Sequence, residues 1–349
     1  MHNLTRQVFN SYLGQVAELN GVSDATKKFV AAASVSQTME NHIQESSAFL
    51  GMVNSIGVDE QTAEKLGLGI GSTIAGRTDT NAADRATQDP SGVDDRSYFC
   101  KQTNFDTHLG YAKLDAWAKF PDFEMRIRNQ ILRQSALDRI MIGWNGLSAA
   151  AATNRVTNPL LQDVNIGWLK KLQTEAVGRY MTEGADAVGA IHVGAGGHYA
   201  NLDALVYDMR SNLLAPWHRR NSNLVVVCSS DMVDEKYFPL VEMHGNTPTE
   251  AKELDLMISN KRLGGLRVAE VPFFPERTLF ITQLSSGGDS NLSVYWQNDT
   301  RRRTIVDNAK RDRVENYESV NEAYVIEDLT CTCAAVNVKF PNAAGDGWQ

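Results

Sequence analysis

The chain has 349 residues, 42% hydrophobic and 22% charged, which is enough to bury a sizeable core. Its formal net charge of −8 argues against a protein that coats nucleic acid with a basic face, though not against one that merely encloses it. No stretch approaches the roughly 20 continuous apolar residues of a membrane span, and the start, MHNLTRQVFNSYLGQ, lacks the apolar core of a secretory signal.

Residues 4–19 carry Phe9, Leu13 and Val16 at the spacing of one helix face, and Gly21 ends that pattern. KKFVAAASVSQ follows, with a run of small residues at 31–34. A second helical pattern takes Val35, Met39, Ile43, Leu50 and Val53 as its apolar positions. Four glycines, Gly67, Gly69, Gly71 and Gly76, then stand within GLGIGSTIAGRTDT at 67–80. From 77 to 96 the chain has almost no hydrophobic residue. Asp79, Asp84, Asp89, Asp94 and Asp95 outweigh Arg77, Arg85 and Arg96 there by about two charges. A structureless loop of this length is uncommon inside a compact domain and usually serves a function. YFCKQTNFDTHLGYAKL after it alternates as a strand, with Phe99, Phe105, Leu109 and Tyr111 expected to face inward. The runs before and after the polar stretch are expected to pair as a long hairpin, which needs a partner surface to be stable.

The clearest helix spans about 123–144. Pro121 and Asp122 start it, Gly143 and Gly146 end it, and Phe123, Ile127, Ile131, Leu137, Ile140, Met141 and Trp144 supply its apolar positions. At 1.5 Å per residue such a rod is roughly 33 Å long, which suits a backbone for other elements. Residues 149–159 read as a loop, 168–180 and 201–214 as helices, and EGADAVGAIHVGAGGHY as turns around a short strand. Beyond Pro216 the character becomes mixed α and β. LVVVC at 224–228 is a strand buried on both faces by its continuous apolar run, DMVDEKYFPLV is helical, and NLSVYW is a strand. Val320, Tyr324 and Ile326 mark another strand near the end, and CTCAAVNVKF continues the β character before the tail at 341–349.

Few residues mark a chemical site. A dinucleotide fold needs a helix opening right after its glycines, whereas STIAGRTDTNAADRA has no helical apolar period, so Gly67, Gly69 and Gly71 suit turns and a hinge better than a phosphate. Cys331 and Cys333 form a CxC without a second pair, which disfavours zinc and favours reduced thiols, as do Cys100 and Cys228 elsewhere. His192 and His198 flank glycines with no carboxylate between them, so a glycine-rich surface turn is preferred to a metal site. No pair of carboxylates is marked out for acid–base work, and no catalytic, cofactor or metal residue is assigned. Arg301, Arg302 and Arg303 form the densest basic cluster and are expected at a contact between subunits or in solvent rather than on nucleic acid. VPFFPERTLF is either core or a sticky interface.

The whole sequence nevertheless resembles one family. QESSAFL at 44–50, DFEMRIRNQI at 122–131, NPLLQDVNIGWLKK at 158–171 and GGHYANLDALV at 196–206 carry the likeness. KYFPLV at 236–241, SNKRLGGL at 259–266, VPFFPERTLFITQL at 271–284 and DRVENYESVNEAYVIED at 312–328 extend it. These segments resemble the major capsid protein precursors of tailed bacteriophages, typified by temperate coliphages with contractile tails. SSGGDSN at 285–291 departs from that pattern by being several residues longer before NLS.

The resemblance implies an α+β protein with the tailed-phage capsid fold that herpesvirus shell floors share. It implies an N-terminal arm at 1–60 whose leader, to about residue 31, is removed by a maturation protease near 31–34. It further implies an extended loop at 61–112 lying over a neighbouring subunit, and a peripheral domain at 113–221 and 301–340 built on the 123–144 helix as spine. An axial domain at 222–300 and a tail at 341–349 complete it. The implied role is structural and non-enzymatic, without cofactor: homopentamers and homohexamers close an icosahedral head around double-stranded DNA, with a scaffolding protein, the protease and a portal protein as partners and no membrane. The place is the virion, after assembly in the bacterial cytoplasm. A nucleotide-binding α/β enzyme and a tail-tube or sheath protein are the alternatives.

Overall fold

A computed structural model describes residues 1–64, 69–70, 75, 77–80, 84–85, 87, 91–92, 96–117, 123–186, 189–243, 261–285, 288–342 and 347–348. Helix α1 (Asn3–Leu19) opens the chain and stops at Asn20, beyond which Gly21 takes the left-handed φ of 62°. Helix α2 (Ala33–Glu45) follows, then α3 (Tyr111–Trp117) and the long α4 (Phe123–Asn145). Helices α5 (Trp168–Glu175), α6 (Leu202–Asp208) and α7 (Ser230–Met243) complete the set. Helix α6 runs on into a π-turn, Met209–Leu213, which accounts for the longer helical pattern in the sequence.

Two sheets carry the fold. In the first, the order is Phe29–Val30, Arg302–Asn308, Arg313–Ile326, Leu292–Gln297 and Asn54–Val58, and Lys101–Asn104 and Thr107–Gly110 also pair with Arg313–Ile326. Thus strands from both ends of the chain build one sheet around a long strand. The second sheet runs Arg262–Leu263, Leu266–Glu270, Leu224–Cys228, Leu279–Gln283, Cys333–Ala335 and Tyr180–Met181. Leu224–Cys228 is central and every residue in it is buried. Val225 and Val227 face one core, and Leu224, Val226 and Cys228 face another. The continuous apolar run of this strand is therefore the requirement of a two-sided environment.

The first core is aromatic. Trp144 from the end of α4 lies 5.2 Å from Trp168 of α5, 4.7 Å from Phe274 and 5.0 Å from Phe280, all edge-on. Trp168 also meets Tyr324 at 5.3 Å. These edge-to-face pairs contribute beyond simple area burial. Glycine allows the approach: a Cβ on Gly143 would stand 2.3 Å from Trp168, and one on Gly146 2.2 Å from the Asn165 carbonyl. The glycines that close the α4 pattern in the sequence are thus also the points where α5 presses on it.

Several sequence expectations change: α2 ends at Glu45, so Leu50 and Val53 lie beyond it, and Tyr111 opens α3 instead of continuing a strand. Tyr98 and Cys100 are buried while Phe99 is 46% exposed, because Tyr98 packs edge-on against Tyr295 at 5.0 Å and fixes the phase of that strand. The Phe99 ring instead lies under the Lys101 ammonium at 4.2 Å. VPFFPERTLF divides: Val271, Phe274, Leu279 and Phe280 are core, and Phe273, at a φ of 61°, is exposed. The helical reading of 168–180 stops at Glu175, where Ala176 leaves helical geometry.

Candidate functional site

The polar arm comes first. Thr62–Glu64 pairs antiparallel with Ser97–Phe99, and Gly69–Ile70 with Ser91–Gly92. A hairpin forms where the sequence leads one to expect it, but only Ser97–Phe99 of the later run takes part; Lys101–Asn104 and Thr107–Gly110 pair with Arg313–Ile326 instead. Its described polar residues between 77 and 87 are exposed. Gly67, Gly71 and Gly76 lie outside the described residues, so the glycine run is read only through Gly69. Tyr98 donates its hydroxyl to the Glu60 carbonyl, and Cys100 N–H donates to Gln61 O at 2.8 Å, closing the two sides of the hairpin at its base.

The arginine cluster does not behave as a surface. Arg301 is 3% exposed and binds Glu40 and Glu318 of its own chain. Arg139, from the middle of α4, is equally buried. Its Nη1 and Nη2 reach Glu40 at 2.7 and 2.9 Å, and its Nη2 and Nε reach Glu322 at 2.5 and 3.0 Å. Two arginines and three glutamates thus form one buried chain joining α2, α4, the turn at 301 and the long strand. Arg303 donates to Asn316 at 2.8 Å and to the Tyr12 hydroxyl at 2.9 Å, and Arg302 is exposed. The expectation of a subunit contact or a solvated face therefore fails for Arg301, whose acidic partners are internal.

Burial raises the Glu40 carboxyl, but Arg139 and Arg301 outweigh it and hold the group below its usual range. For Glu322 the burial cost prevails and the carboxyl is pushed up, with Arg139 opposing. Beside Arg139 is a void of about 10 Å³, room for a single water. Among the described residues the cluster's side chains are almost wholly buried. The cluster fixes positions.

The sequence carried a signal for this cluster that composition hides. In α2, Ser36, Glu40 and Ile43 share the buried stripe, so a glutamate stands where the helical period calls for an apolar residue. In the long strand, Glu318 and Glu322 share a face with Val320, Tyr324 and Ile326, at the strand's period of two.

The histidine turn gains a carboxylate from Asp186. His198 Nδ1 accepts the His192 backbone N–H at 2.9 Å, and its Nε2 lies 2.5 Å from Asp186 Oδ1. Because Nδ1 accepts, the proton sits on Nε2 and points at Asp186. The ligand atoms of Asp186, His192 and His198 lie within 4.8 Å of one another, yet neither His198 nitrogen is free. His192 stacks on Trp348 at 4.4 Å and 10°. The arrangement docks the tail, and Gly194 and Gly197 admit Pro341 and Trp348 where a Cβ would stand 2.7 and 2.8 Å away.

Comparison with known proteins agrees with this architecture. The family model described as phage major capsid protein, P2 family, matches residues 8–338. The capsid protein of Escherichia phage P2 is 44% identical over 347 residues, covering 97% of this chain and 96% of that one. The major capsid protein of Serratia phage KSP20 is 36% identical, covering 94% of each chain. Among solved structures, a chain of the satellite phage P4 procapsid that includes the size determination protein superposes with a TM-score of 0.79 at 41% identity. It covers 97% of this chain and 99% of that one. The capsid of an empty GTA particle has a TM-score of 0.50 at 15% identity, over 83% of this chain and 89% of that one, a likeness of fold alone. A sheet assembled from both chain ends, the long helix α4 and a polar hairpin thus come with long sequence matches, and the chain belongs to the P2 family of phage major capsid proteins.

Proposed function

We propose that many copies of this chain form pentamers and hexamers that close an icosahedral head around double-stranded DNA. The chain is a structural protein without an enzymatic role, acting in the virion after assembly in the bacterial cytoplasm. The observation that carries this reading is the pairing of a fixed body with an exposed polar hairpin. The body is bolted by the Glu40–Arg139–Glu322 cluster, while the arm's described polar residues are exposed. Quasi-equivalent positions need this combination, and the contact each arm makes on a neighbour is repeated around the shell. The net charge of −8 suits a container, since a basic wall would hold DNA and impede its movement.

Within this reading, residues 61–112 are the extended loop over a neighbour, α4 is the spine of a peripheral domain, and four of the second sheet's six strands lie in an axial domain at 222–300, with Tyr180–Met181 and Cys333–Ala335 joining them from the peripheral segments. The leader to about residue 31 is trimmed by a maturation protease, and a scaffolding protein and a portal protein are further partners. The relation to the P4 procapsid chain supports the reading, since that chain is a component of a shell.

Size-exclusion chromatography with light scattering on the purified full-length chain tests it. Megadalton particles, or discrete pentamers and hexamers, are expected, with closed shells by electron microscopy. Helical tubes would favour a tail protein. A monomer that stays monomeric with a scaffolding partner present would overturn the proposal.

A further inference from the structure

We propose that α1 is a strap that closes its own cut site, so that trimming of the leader waits for α1 to leave its seat. This rests on the reading that residues up to about 31 are removed. It adds how that step is controlled.

The junction is held from two sides. Phe29 and Val30 form the edge strand of the first sheet against Arg303 and Arg302. Ala31 N–H donates to the Arg301 carbonyl at 2.8 Å. Ala32 N–H donates to Asn20 Oδ1 at 3.1 Å, and Asn20 Nδ2 donates back to the Val16 carbonyl at 2.8 Å. One side chain at the end of α1 therefore ties the leader to the residue where the retained chain would begin. Phe29 and Ala31 are buried. Ala33 and Ser34 are exposed but already lie in the first turn of α2, where Ser36 N–H donates to Ala32 O at 2.9 Å. A protease takes extended, accessible chain; here the one extended residue with an exposed side chain, Val30, is paired to Arg302 and stands between the buried Phe29 and Ala31.

The two flanks are fastened very differently. Only Thr5 and Val16 of α1 are buried, and no side chain caps its N-terminus. The Arg6–Asp307 pair at 3.3 Å is on the surface, where ion pairs contribute little. Beneath α1 lies a cleft of about 400 Å³, lined by Phe9, Tyr12 and Val16 on one side and Leu114, Ile131 and Ile305 on the other. The strap is underpacked. By contrast α2 is anchored through Glu40 to two buried arginines. Undocking thus begins at α1 and stops at α2. Because Val16 and Phe29 share one apolar cluster with Ile305 and Val314, lifting α1 also uncovers the edge strand. Cleavage then tracks the population of the open state.

The test is elastase, which cuts after small residues, acting on the full-length protein, with release of the leader peptide followed by mass spectrometry. Phe9→Asp, which places a charge in the cleft, is expected to speed cleavage within 30–34 at least tenfold. Asn20→Ala, which cuts only the tie to Ala32, is expected to speed it several-fold. Equal rates in all three proteins would overturn the strap. Hydrogen exchange on the unaltered protein guards against a misfolded variant. The Ala31 and Ala32 amides should open together with the α1 amides, and exchange at 31–32 while α1 stays protected would refute the coupling. The intact mass of the chain in finished particles tests the underlying reading separately. A trimmed chain with ungated elastase cleavage removes the strap alone, and an untrimmed chain removes both.

Discussion

Replacing Glu40 with alanine tests the buried cluster directly. The substitution deletes the 2.7 and 2.9 Å contacts to Arg139 and the contact to Arg301. Two effects oppose each other. The remaining charges, Arg139 and Arg301 against Glu318 and Glu322, balance formally, and the repulsion between Glu40 and Glu322 disappears. Against this, two arginines that are almost wholly buried lose their shared acceptor. Removing one partner of a buried pair typically costs about 3–5 kcal/mol, more than the relief of one like-charge contact across an arginine. With unfolding entropy near 2.1 cal/mol/K per residue, 349 residues unfolding as one unit lose roughly 1.4 °C per kcal/mol, so Tm should fall by about 4–7 °C. Calorimetry is to be run on unassembled protein at fixed concentration, because assembly itself shifts Tm. Glu40→Gln should fall between the two, and the double variant with Arg301→Ala should lose less than the sum of the singles. A shift under about 1 °C, or a rise, would mean that the acidic excess dominates and that the cluster does not anchor α2.

The same cluster sets a pH dependence with two opposite slopes. Glu40 is held low, so its contribution is present above the ordinary carboxylate range and is lost as pH falls through its native value. Glu322 is raised, so its contribution is present at low pH and lost as pH rises through its native value. Glu322→Gln should therefore flatten the decline of Tm on the neutral side of a pH series, and an unchanged slope would contradict the assignment. Gly143→Ala forces a methyl into Trp168 at 2.3 Å and should cost about 1–3 kcal/mol or more by thermal unfolding, whereas a neutral result would mean that α5 yields easily. Burial pushes the Cys100 and Cys331 thiols up to about 11 and Cys228 to about 12, and Cys333 is raised as well. Ellman's reagent at pH 8 should find no reactive thiol in the native protein and four after denaturation, and rapid native labelling would refute the burial.

What the sequence made legible is what local periodicity controls. The 123–144 pattern became Phe123–Asn145, the run LVVVC became a central strand buried on both faces, and Thr62–Glu64 and Ser97–Phe99, on either side of the polar stretch, became a hairpin. The phase error at Phe99 has a different origin. Hydrophobicity alone favoured Phe99 as the inward residue, but a strand's inward face is chosen by its partner. Here Tyr295 accepts the edge of Tyr98 while Lys101 covers Phe99 outside. Composition within the strand contains no record of that choice.

The arginine triplet makes the limit sharper, because three adjacent identical residues have three fates. Arg301 is buried among glutamates, Arg302 is exposed, and Arg303 bonds Asn316 and Tyr12. Alternation along the chain separates neighbours, but which one turns inward depends on where negative charge waits. Glu40 is 261 residues away in sequence from Arg301. A cluster assembled from four distant segments leaves only a weak local mark in each, an acid on the apolar stripe of α2 and another on the inward face of the long strand. The physical reason for accepting such expensive burial lies in geometry rather than stability. An apolar plug of equal volume tolerates a slip of α2 against α4, whereas a bidentate arginine–carboxylate contact fixes both distance and direction. Helix α2 is the first helix after the strap. On the proposal that the leader is trimmed, the helix that follows must keep its position when α1 lifts, and Glu40 between Arg139 and Arg301 supplies that.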